Sequence, residues 1–431
     1  MLRWLAIFGA ILVAITIALS FHQPPMRLMP TPAVFLDGAP NAFAANPALV
    51  RDNRIEFFYA TNRLAVGPRN NRTYAIAPGR NLHLGVGTIR IGGEEKSWDK
   101  IYALSTRQSD DRRPFLNMEA LSEFASLEEG GALPPGARAL PPGARAWFKL
   151  IDAAIERSPD KDIIIYVHGA NSTVERAAGQ AAQIRHFTGQ NSVVLLFAWP
   201  TAENFFRYSD DIVTAFGAAP QLAKLVGLLA KNTKAAHIDV MTYSAGGTVG
   251  SDGLALVGRN SRLPGAADPR LGEVYHAAPD ADTRGFADDL RDYANVARRV
   301  TVAVNMGDAT LRLSQTLNRG SRAGRPDIAE LSPNQARFLL DAVAKQGLEI
   351  VSVRPENIPG LSDRSHTFWY NDPWVSSDVL ITFVFHLPPD QRGLEGVQSA
   401  EGAEVWTFPA NYAARLPGVM ARLRDKVLAA P

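Results

Sequence analysis

The stretch that decides the fold is His237-Ile-Asp-Val-Met-Thr-Tyr-Ser244-Ala-Gly-Gly-Thr-Val249. Its apolar first half predicts a short buried strand, and its second half is compatible with a helix. Between them stands a serine followed by small residues, which is typical of a sharp strand-to-helix turn. Such a turn strains the backbone of its central residue and needs small neighbours, a demand that Gly246 meets.

One residue of this turn departs from the usual pattern. Thr242 stands two positions before the serine, where Gly is common, so the strict Gly-x-Ser-x-Gly string is absent. Two interpretations of Ser244 follow: a nucleophile exposed at the turn, or a hydroxyl that caps the next helix. The rest of the chain favours the nucleophile, because the acid and the histidine that such a serine needs are available in the required order.

Donors for an oxyanion are predicted beside this serine. The buried strand 163–167 ends in His168-Gly169, and the loop after such a strand supplies a backbone N–H in folds of this kind. We therefore predict an oxyanion hole formed by the N–H groups of Ala170 and Ala245. The alternative interpretation of the His-Gly pair is an ordinary turn that ends a strand.

The acid and the base are predicted from chain order. Asp308 ends a β-rich strand at the carboxyl edge of the sheet and is the preferred acid, with Asp280 and Asp282 as rivals one strand earlier. Only His366 and His386 follow Asp308. His366 is preferred as the base because it lies in a polar loop, whereas His386 closes an apolar run.

Further side chains are candidates for a substrate pocket, with core packing as the alternative. They are His168, Trp199 and Tyr243, and, for an apolar pocket or a lid, Phe205, Phe206, Phe368, Trp369 and Trp374. No His-Glu-x-x-His or other metal-ligand spacing occurs. We therefore predict no catalytic metal and no cofactor.

Composition narrows the class of protein. The 431 residues are 46% hydrophobic and 20% charged, which allows a sizeable core. Lys and Arg number 45 against 43 Asp and Glu, a balance too even for an electrostatic nucleic-acid footprint, so we expect no nucleic-acid partner. The absence of cysteine excludes disulfides, thiolate nucleophiles and Cys-ligated zinc.

The N-terminus predicts a membrane or export segment. Residues 1–22 contain an almost unbroken apolar run behind Arg3, and they predict an uncleaved anchor, with a cleaved signal or a buried core helix as alternatives. Arg3 favours the cytoplasmic side, which sends the rest of the chain across the membrane. Residues 23–53, rich in Pro, Ala and Asn, predict a tether.

The folded body is predicted over 54–431. Strands over 55–59 and 82–91 indicate an early antiparallel part of a sheet. From residue 146 onward, short apolar runs alternate with helical segments, which predicts an α/β fold with a mostly parallel, doubly wound sheet. The heptad Ala-Leu-Pro-Pro-Gly-Ala-Arg occurs twice, at 132–138 and 139–145, so 130–146 is predicted as a surface loop. The run 379–385 fits either a strand or a buried helix.

An ordered set of short motifs gives the chain a resemblance. In order, they are Phe57-Phe-Tyr-Ala-Thr-Asn62, Tyr166-Val-His-Gly-Ala-Asn171, Phe197-Ala-Trp-Pro200, Thr242-Tyr-Ser-Ala-Gly246, Ala278-Pro-Asp280 and Ser365-His366. Over about 54–390, the chain resembles a bacterial family of esterase/lipase-like proteins with the α/β-hydrolase fold and largely unassigned substrates. The resemblance implies that nucleophile, acid and base match Ser244, Asp308 and His366. The departures are Thr242, Tyr243 where His is common, and the duplicated heptad.

Together these patterns predict a serine hydrolase of carboxylic esters that works through an acyl-enzyme. A peptidase or amidase would use the same residues, and a non-catalytic interaction protein anchored in the envelope is the alternative outside enzymes. The expected partners are a small-molecule or lipid ester and, through residues 1–22, a membrane; no oligomeric state follows. The expected location is the cell envelope, anchored in the inner membrane with the body on the extracytoplasmic side, or secreted after cleavage.

Overall fold

The chain folds around one large sheet in the computed structural model, which describes residues 25–36, 42–43, 46–94, 97–107, 112–128 and 140–429. The first elements are β1 (Arg54–Val66), β2 (Thr73–Ile91), α1 (Trp98–Thr106), β3 (Leu116–Leu127) and α2 (Pro142–Arg157). The predicted anchor, 1–22, lies outside the described residues and stays a prediction.

A regular alternation of strands and helices follows. It consists of β4 (Ile163–Val167), α3 (Val174–Phe187), β5 (Val193–Phe197), α4 (Tyr208–Asn232), β6 (Ile238–Tyr243), α5 (Gly246–Ser261), β7 (Leu271–Ala277), α6 (Thr283–Tyr293), β8 (Arg299–Val304), α7 (Ala309–Asn318), α8 (Pro333–Lys345) and β9 (Leu348–Ser352). The chain continues through α9 (Phe368–Asn371), α10 (Pro373–Phe385), β10 (Glu395–Gln398), β11 (Glu404–Thr407) and α11 (Tyr412–Ala429). The run 379–385 is therefore helical.

The strand order is β10-β11-β9-β8-β7-β6-β4-β5-β1-β2-β3. Neighbours from β11 to β1 pair in parallel, whereas β2 and β10 run antiparallel to their partners. Strands β4, β5 and β6 are buried at every position, as strands covered by helices on both faces must be. This mostly parallel sheet confirms the predicted fold class and aligns the carboxyl ends of its central strands along one edge.

Helices cover both faces of the sheet. On one face, side chains of α3 and α10 pack against alternate residues of the central strands, including Ile164 and Met241. On the other face, α2, α4, α5 and α6 bury the intervening residues, including Ile163 and Val240. Among the described residues, one helix, 205–232, is long and apolar enough to cross a membrane. Half of its apolar window is buried, and Leu222 and Leu225 belong to the core, so in this fold it packs as a core helix.

The predicted tether is wrong for residues 25–36. The N–H of Leu116 donates to the carbonyl oxygen of Met26 at 2.7 Å, and the N–H of Leu28 donates to Pro114. Val34 is buried, and its N–H donates to the Ser377 hydroxyl of α10. The segment also contains apolar side chains between its prolines. Because burying these side chains is favourable, the segment packs against the folded body.

The predicted loop 130–146 is wrong for its last residues. The second copy of the heptad enters α2, with Pro142 in the first turn, where the missing N–H costs nothing. A Cβ at Gly143 would lie 2.0 Å from the carbonyl oxygen of Phe124, so this residue sits directly on β3. Trp147, one turn later, is fully buried, and its indole N–H donates to the Gly85 carbonyl. Burial of this helix face outweighs the flexibility of the repeat.

Candidate active site

Ser244 occupies the turn between β6 and α5. Its φ of 54° lies in the left-handed region, which is strained for a residue with a side chain. Its N–H donates to the Ala277 carbonyl at 3.1 Å, and its own carbonyl oxygen accepts the N–H groups of Gly247 and Asp280, both at 2.8 Å. These bonds hold the strained backbone and present the hydroxyl at the carboxyl edge of the sheet.

Three glycines make room for the turn. A Cβ at Gly246 would lie 2.5 Å from the His168 carbonyl oxygen, and one at Gly169 would lie 2.9 Å from the Cβ of Ser244. A Cβ at Gly250 would lie 2.4 Å from the Cγ2 of Thr242. The unusual Thr242 is therefore accommodated because the helix that follows has a glycine opposite it.

The three residues predicted as nucleophile, acid and base lie together. His366 Nε2 lies 2.9 Å from Ser244 Oγ, and His366 Nδ1 lies 2.6 Å from Asp308 Oδ2. Asp308 is fully buried, and its Oδ1 accepts the N–H of Leu311 at 2.9 Å, which caps α7. With one oxygen fixed by the helix and the other on the imidazole, the carboxylate determines the orientation of the ring.

The loop that carries His366 is docked beside the acid. The Asn305 side-chain amide, at the end of β8, donates to the Ser365 carbonyl at 2.8 Å. A Cβ at Gly307 would lie 2.2 Å from the Asp363 carbonyl oxygen, so only a glycine allows this approach. Tyr243 contacts the imidazole from the strand side, with ring centroids 5.2 Å apart. Burial raises the pKa of Tyr243, so its phenol stays neutral.

The rival acids have other partners. Asp280 is fully buried; its Oδ1 lies 2.6 Å from Nε of Arg322, and its Oδ2 accepts the Tyr208 hydroxyl at 2.5 Å. Asp282 caps α6 through the amides of Arg284 and Gly285. The rival histidine, His386, ends α10, at the opposite edge of the sheet.

The predicted oxyanion donors flank the serine. Ala245 follows Ser244 at the start of α5, and Ala170 lies in the loop after β4. Among the backbone hydrogen bonds of the described residues, none has either of these amides as its donor. The loop at Ala170 is held from α4, because Asp211 accepts the N–H of Asn171 at 2.8 Å through Oδ2 and that of Ala202 at 2.6 Å through Oδ1.

Arg63, whose buried side chain hydrogen-bonds to this loop, was not identified from the sequence. Its side chain is fully buried, and its guanidinium donates to the carbonyl oxygens of Ser172 at 2.9 Å and Trp199 at 3.1 Å. It also pairs with Glu203 at 2.7 Å and donates to the Thr201 hydroxyl at 3.0 Å. A buried cation among carbonyl oxygens ties the two loops after β4 and β5 into one unit. The only signal in the sequence was an arginine just after the Phe57–Asn62 motif.

Two of the predicted pocket residues lie beneath the surface. His168 and Trp199 are fully buried and stacked, with centroids 5.4 Å apart, and the indole N–H donates to the His168 carbonyl at 2.6 Å. Burial, with the nearby charge of Arg63, lowers the pKa of His168 to about 3. The pair supports the loop that bears Ala170, which corrects the expectation that these side chains line a pocket.

An apolar strip lies on the surface at the same edge of the sheet. It consists of Phe205, Phe206, Val213 and Phe216, at the start of α4 and just before it, all exposed, with Phe206 64% exposed. The Tyr208 hydroxyl, next to this strip, lies 2.7 Å from the hydroxyl of Ser314 on α7. The strip therefore lies near the helix whose N-terminus is capped by Asp308.

Similarity to solved structures is low. An esterase from Pyrobaculum calidifontis shares 14% identity over 53% of this chain and 78% of its own, with a TM-score of 0.31. A predicted CIB-like hydrolase from Thermoplasma acidophilum shares 15% identity over 53% of this chain and 86% of its own, with a TM-score of 0.27. An esterase from Rhizomucor miehei shares 11% identity over 96% of this chain and 95% of its own, with a TM-score of 0.29. No curated protein matches the chain.

The family assignment rests on a longer match. Residues 144–369, a little over half of the chain, match the family described as "Alpha/beta hydrolase of unknown function (DUF900)". The match encloses Ser244, Asp308 and His366 and the loop at Ala170. This confirms the resemblance found in the motifs, and the chain belongs to this family of α/β hydrolases.

Proposed function

We propose that this protein hydrolyses carboxylic esters through an acyl-enzyme formed on Ser244. The observation that carries the proposal is the continuous chain of hydrogen bonds from buried Asp308 through His366 to the hydroxyl of Ser244. A serine hydroxyl becomes a useful nucleophile when an imidazole accepts its proton, and the carboxylate stabilises the imidazolium that forms.

In the first half of the reaction, Ser244 Oγ attacks the ester carbonyl carbon while its proton moves to His366 Nε2. The carbonyl oxygen becomes an oxyanion, which the N–H groups of Ala170 and Ala245 stabilise; one such donor contributes roughly 3 kcal/mol in related sites. Collapse of this intermediate breaks the bond to the alkoxy oxygen, which leaves as an alcohol with the proton from Nε2. The acyl group stays on Ser244.

In the second half, a water molecule gives its proton to Nε2 and attacks the acyl carbon. The new oxyanion occupies the same pair of amides, and its collapse releases the carboxylic acid and returns the proton to Ser244 Oγ. The exposed apolar strip on α4 favours an ester with an apolar acyl chain, because phenylalanine side chains beside a site bind hydrocarbon.

The test is fluorophosphonate labelling of the full-length protein, followed by turnover of p-nitrophenyl esters of increasing chain length. Labelling should vanish in Ser244→Ala and weaken in His366→Ala, and turnover should favour acyl chains longer than acetyl. A matched control is Ser251→Ala, because Ser251 is buried in α5 and bonds Asp289 instead of an imidazole. If the folded wild type neither labels nor turns over any ester, the proposal is wrong, and a non-catalytic binding role replaces it. Labelling with turnover of p-nitroanilides alone would indicate an amidase.

We further propose that residues 1–22 anchor the protein in the inner membrane with the catalytic body outside the cytoplasm. The proposal rests on the apolar run behind Arg3. Accessibility of the body to a protease added to spheroplasts tests it. Protection of the body in intact spheroplasts would contradict it.

A further inference from the structure

A second cluster of titratable side chains lies at the amino edge of the sheet, opposite Ser244. Asp160 and Asp162 precede β4, and His386 follows α10. One ligand atom of each lies within 4.8 Å of those of the other two. The antiparallel course of α10 delivers His386 to this edge, where its Nε2 lies 3.4 Å from Oδ2 of Asp162.

The hydrogen bonds already made by the two aspartates orient them. Asp160 Oδ1 accepts the N–H of Asp162 at 3.0 Å, and its Oδ2 accepts the Ser192 hydroxyl at 2.7 Å. Asp162 Oδ1 accepts the N–H of His237 at 2.8 Å. Asp162 Oδ1 also lies 3.1 Å from Nδ1 of His237, whereas Asp162 Oδ2 accepts none of these bonds and each oxygen of Asp160 keeps a second lone pair.

A third carboxylate points to a ligand. Asp239, on β6, is fully buried; its Oδ1 accepts the N–H of Glu273 on β7 at 2.7 Å, whereas its Oδ2 is buried without a hydrogen-bond partner. Asp239 pairs with Ile164 of β4, so its side chain lies on the same sheet face as that of Asp162, two residues before Ile164. Asp239 does not belong to the group of ligand atoms that lie within 4.8 Å of one another, so it lies beside the cluster and is not one of its members. Burial and the charges of Asp162 and Asp160 raise the pKa of Asp239.

Nearby guanidinium groups are engaged elsewhere. Arg299 lies 2.7 Å from Glu273, and Arg298 lies 3.8 Å from the same carboxylate. Arg298 also lies 2.9 Å from Nε2 of His237, the imidazole that contacts Asp162. In the described part of the chain, no Lys or Arg forms an ion pair with Asp160, Asp162 or Asp239. Buried carboxylates without a cation are costly, and a metal ion is one of the two usual remedies.

We propose that Asp160, Asp162 and His386, with Asp239 behind them, bind a divalent metal ion that accepts both imidazole and carboxylate ligands, such as Zn²⁺ or Mn²⁺. Ca²⁺ and Mg²⁺ take oxygen ligands almost throughout, so the histidine argues against them. The site connects the end of α10 to the start of β4 and lies at the opposite edge from Ser244. Its role is therefore to stabilise the fold, and it takes no part in ester hydrolysis.

The test uses full-length protein freed of metal by a chelator and then dialysed against micromolar Zn²⁺ or Mn²⁺. We expect one ion per chain and a rise in Tm of roughly 2 °C or more, because an ion that binds only the folded state stabilises it. His386→Gln and Asp162→Asn should each abolish the bound ion and the rise. Ester turnover should be the same with and without the ion, so failure here and failure of the proposed function are distinguishable.

A matched control is His83→Gln. His83 also lies 3.1 Å from a carboxylate, Glu123, but Arg72 balances that charge at 2.7 Å. This variant should keep the full metal content. For the wild type, X-ray absorption at the zinc edge should show one imidazole among oxygen ligands. Absence of a bound ion, binding that persists in both site variants, or two or more imidazoles around the zinc would overturn the proposal.

Discussion

Polar side chains at the two edges of the sheet are balanced in different ways. At the carboxyl edge, Asp308 and His366 are joined at 2.6 Å, and each has a further partner that fixes it. At the amino edge, Asp160 and Asp162 lie close to His386, and the guanidinium groups of Arg298 and Arg299 pair with Glu273. One edge is ordered by its own side chains, whereas the charge of the other is left for a cation or a proton to neutralise.

Because of this difference, variants at the two edges should change different measured quantities. Replacing a side chain that orients a reacting group changes the reaction rate. Replacing a buried carboxylate that lacks a cation changes the free energy of unfolding. Variants at the carboxyl edge should therefore change turnover far more than stability. Variants at the amino edge should do the reverse.

The largest expected effect is on turnover in Asp308→Asn. The amide oxygen still accepts the Leu311 N–H and caps α7, but the side chain no longer supports the imidazolium or its tautomer. We expect kcat for esters to fall by about 10⁴-fold, as in other sites of this kind, with little change in Tm. The control is Asp282→Asn, another aspartate that caps a helix, which should leave kcat unchanged. A loss below tenfold in Asp308→Asn would show that the acid is elsewhere.

The second effect concerns Arg63. Removal of its guanidinium in Arg63→Ala frees the loops at Ser172 and Trp199 and lets the amide of Ala170 shift, which should lower kcat by about 100-fold. Millimolar guanidinium chloride should restore part of this activity, because the cavity and the carbonyl oxygens that bind the cation remain.

Rescue separates positioning from general instability, since guanidinium destabilises proteins at higher concentration. The control is Arg54→Ala, whose side chain is exposed and pairs with Glu119. It should show neither the loss nor the rescue. Loss of kcat in Arg63→Ala without any rescue would mean that the arginine only supports folding.

A third prediction tests the tight packing of the turn. Gly250→Ala brings a methyl group within 2.4 Å of the Thr242 side chain and should lower the free energy of unfolding by about 1–3 kcal/mol. In the double variant with Thr242→Ala, most of this loss should be recovered. Gly227→Ala, in α4 with nothing within 4 Å, should instead raise stability by roughly 0.5–1 kcal/mol. Urea unfolding of the four proteins measures these values, and equal effects at positions 250 and 227 would contradict the steric argument.

The last prediction concerns the pH dependence of stability at the amino edge. Burial raises the pKa of Asp160 to about 7, above its ordinary value near 3.8. Between those two values the folded state binds more protons than the unfolded state, so stability falls as pH rises and the loss is complete above pH 7. Asp160→Asn removes this loss, so in chelator its stability relative to the wild type should rise between pH 4 and pH 8, by up to about 4 kcal/mol.

His168 at the carboxyl edge has the opposite sign. Its pKa of about 3 lies below the ordinary value of 6.5, so its contribution to stability is present above pH 6.5 and is lost as pH falls toward 3. Urea unfolding of Asp160→Asn and wild type at several pH values isolates the aspartate from the histidine. Parallel profiles for the two proteins would refute the assignment to Asp160.

How much the sequence revealed also differs between the edges. Ser244, Asp308 and the Ala170 loop each follow a buried strand directly, and parallel strands bring such positions to one edge, so local pattern was enough to place them near each other. His366 followed from chain order. Asp160, Asp162 and His386 have no common spacing, because a strand start and the end of a distant helix bring them together. A search for metal-ligand spacing within one segment of the sequence could therefore not identify these three residues.

Other errors had a local cause. Prolines in 25–36 and in the second heptad suggested flexible chain, yet each segment carries apolar side chains that the body buries. Pro142 is compatible with the first turn of a helix, and Trp147 behind it supplies the apolar contact that favours one. Arg63 was overlooked because a buried cation is not expected in an apolar strand. Two of its partners are carbonyl oxygens, which no residue type reveals, and its carboxylate partner, Glu203, is 140 residues away in the sequence.

The packing of residues 25–36 has a consequence for the proposed membrane anchor. If residues 1–22 cross a bilayer as proposed, only positions 23 and 24 separate the span from the packed chain, which at full extension is about 10 Å. A folded body held so close to the bilayer cannot reach as large a volume as one attached through a long flexible linker. A body anchored in this way would sample a shallow layer next to the headgroups, so its substrates would be molecules that diffuse along the membrane or through that layer.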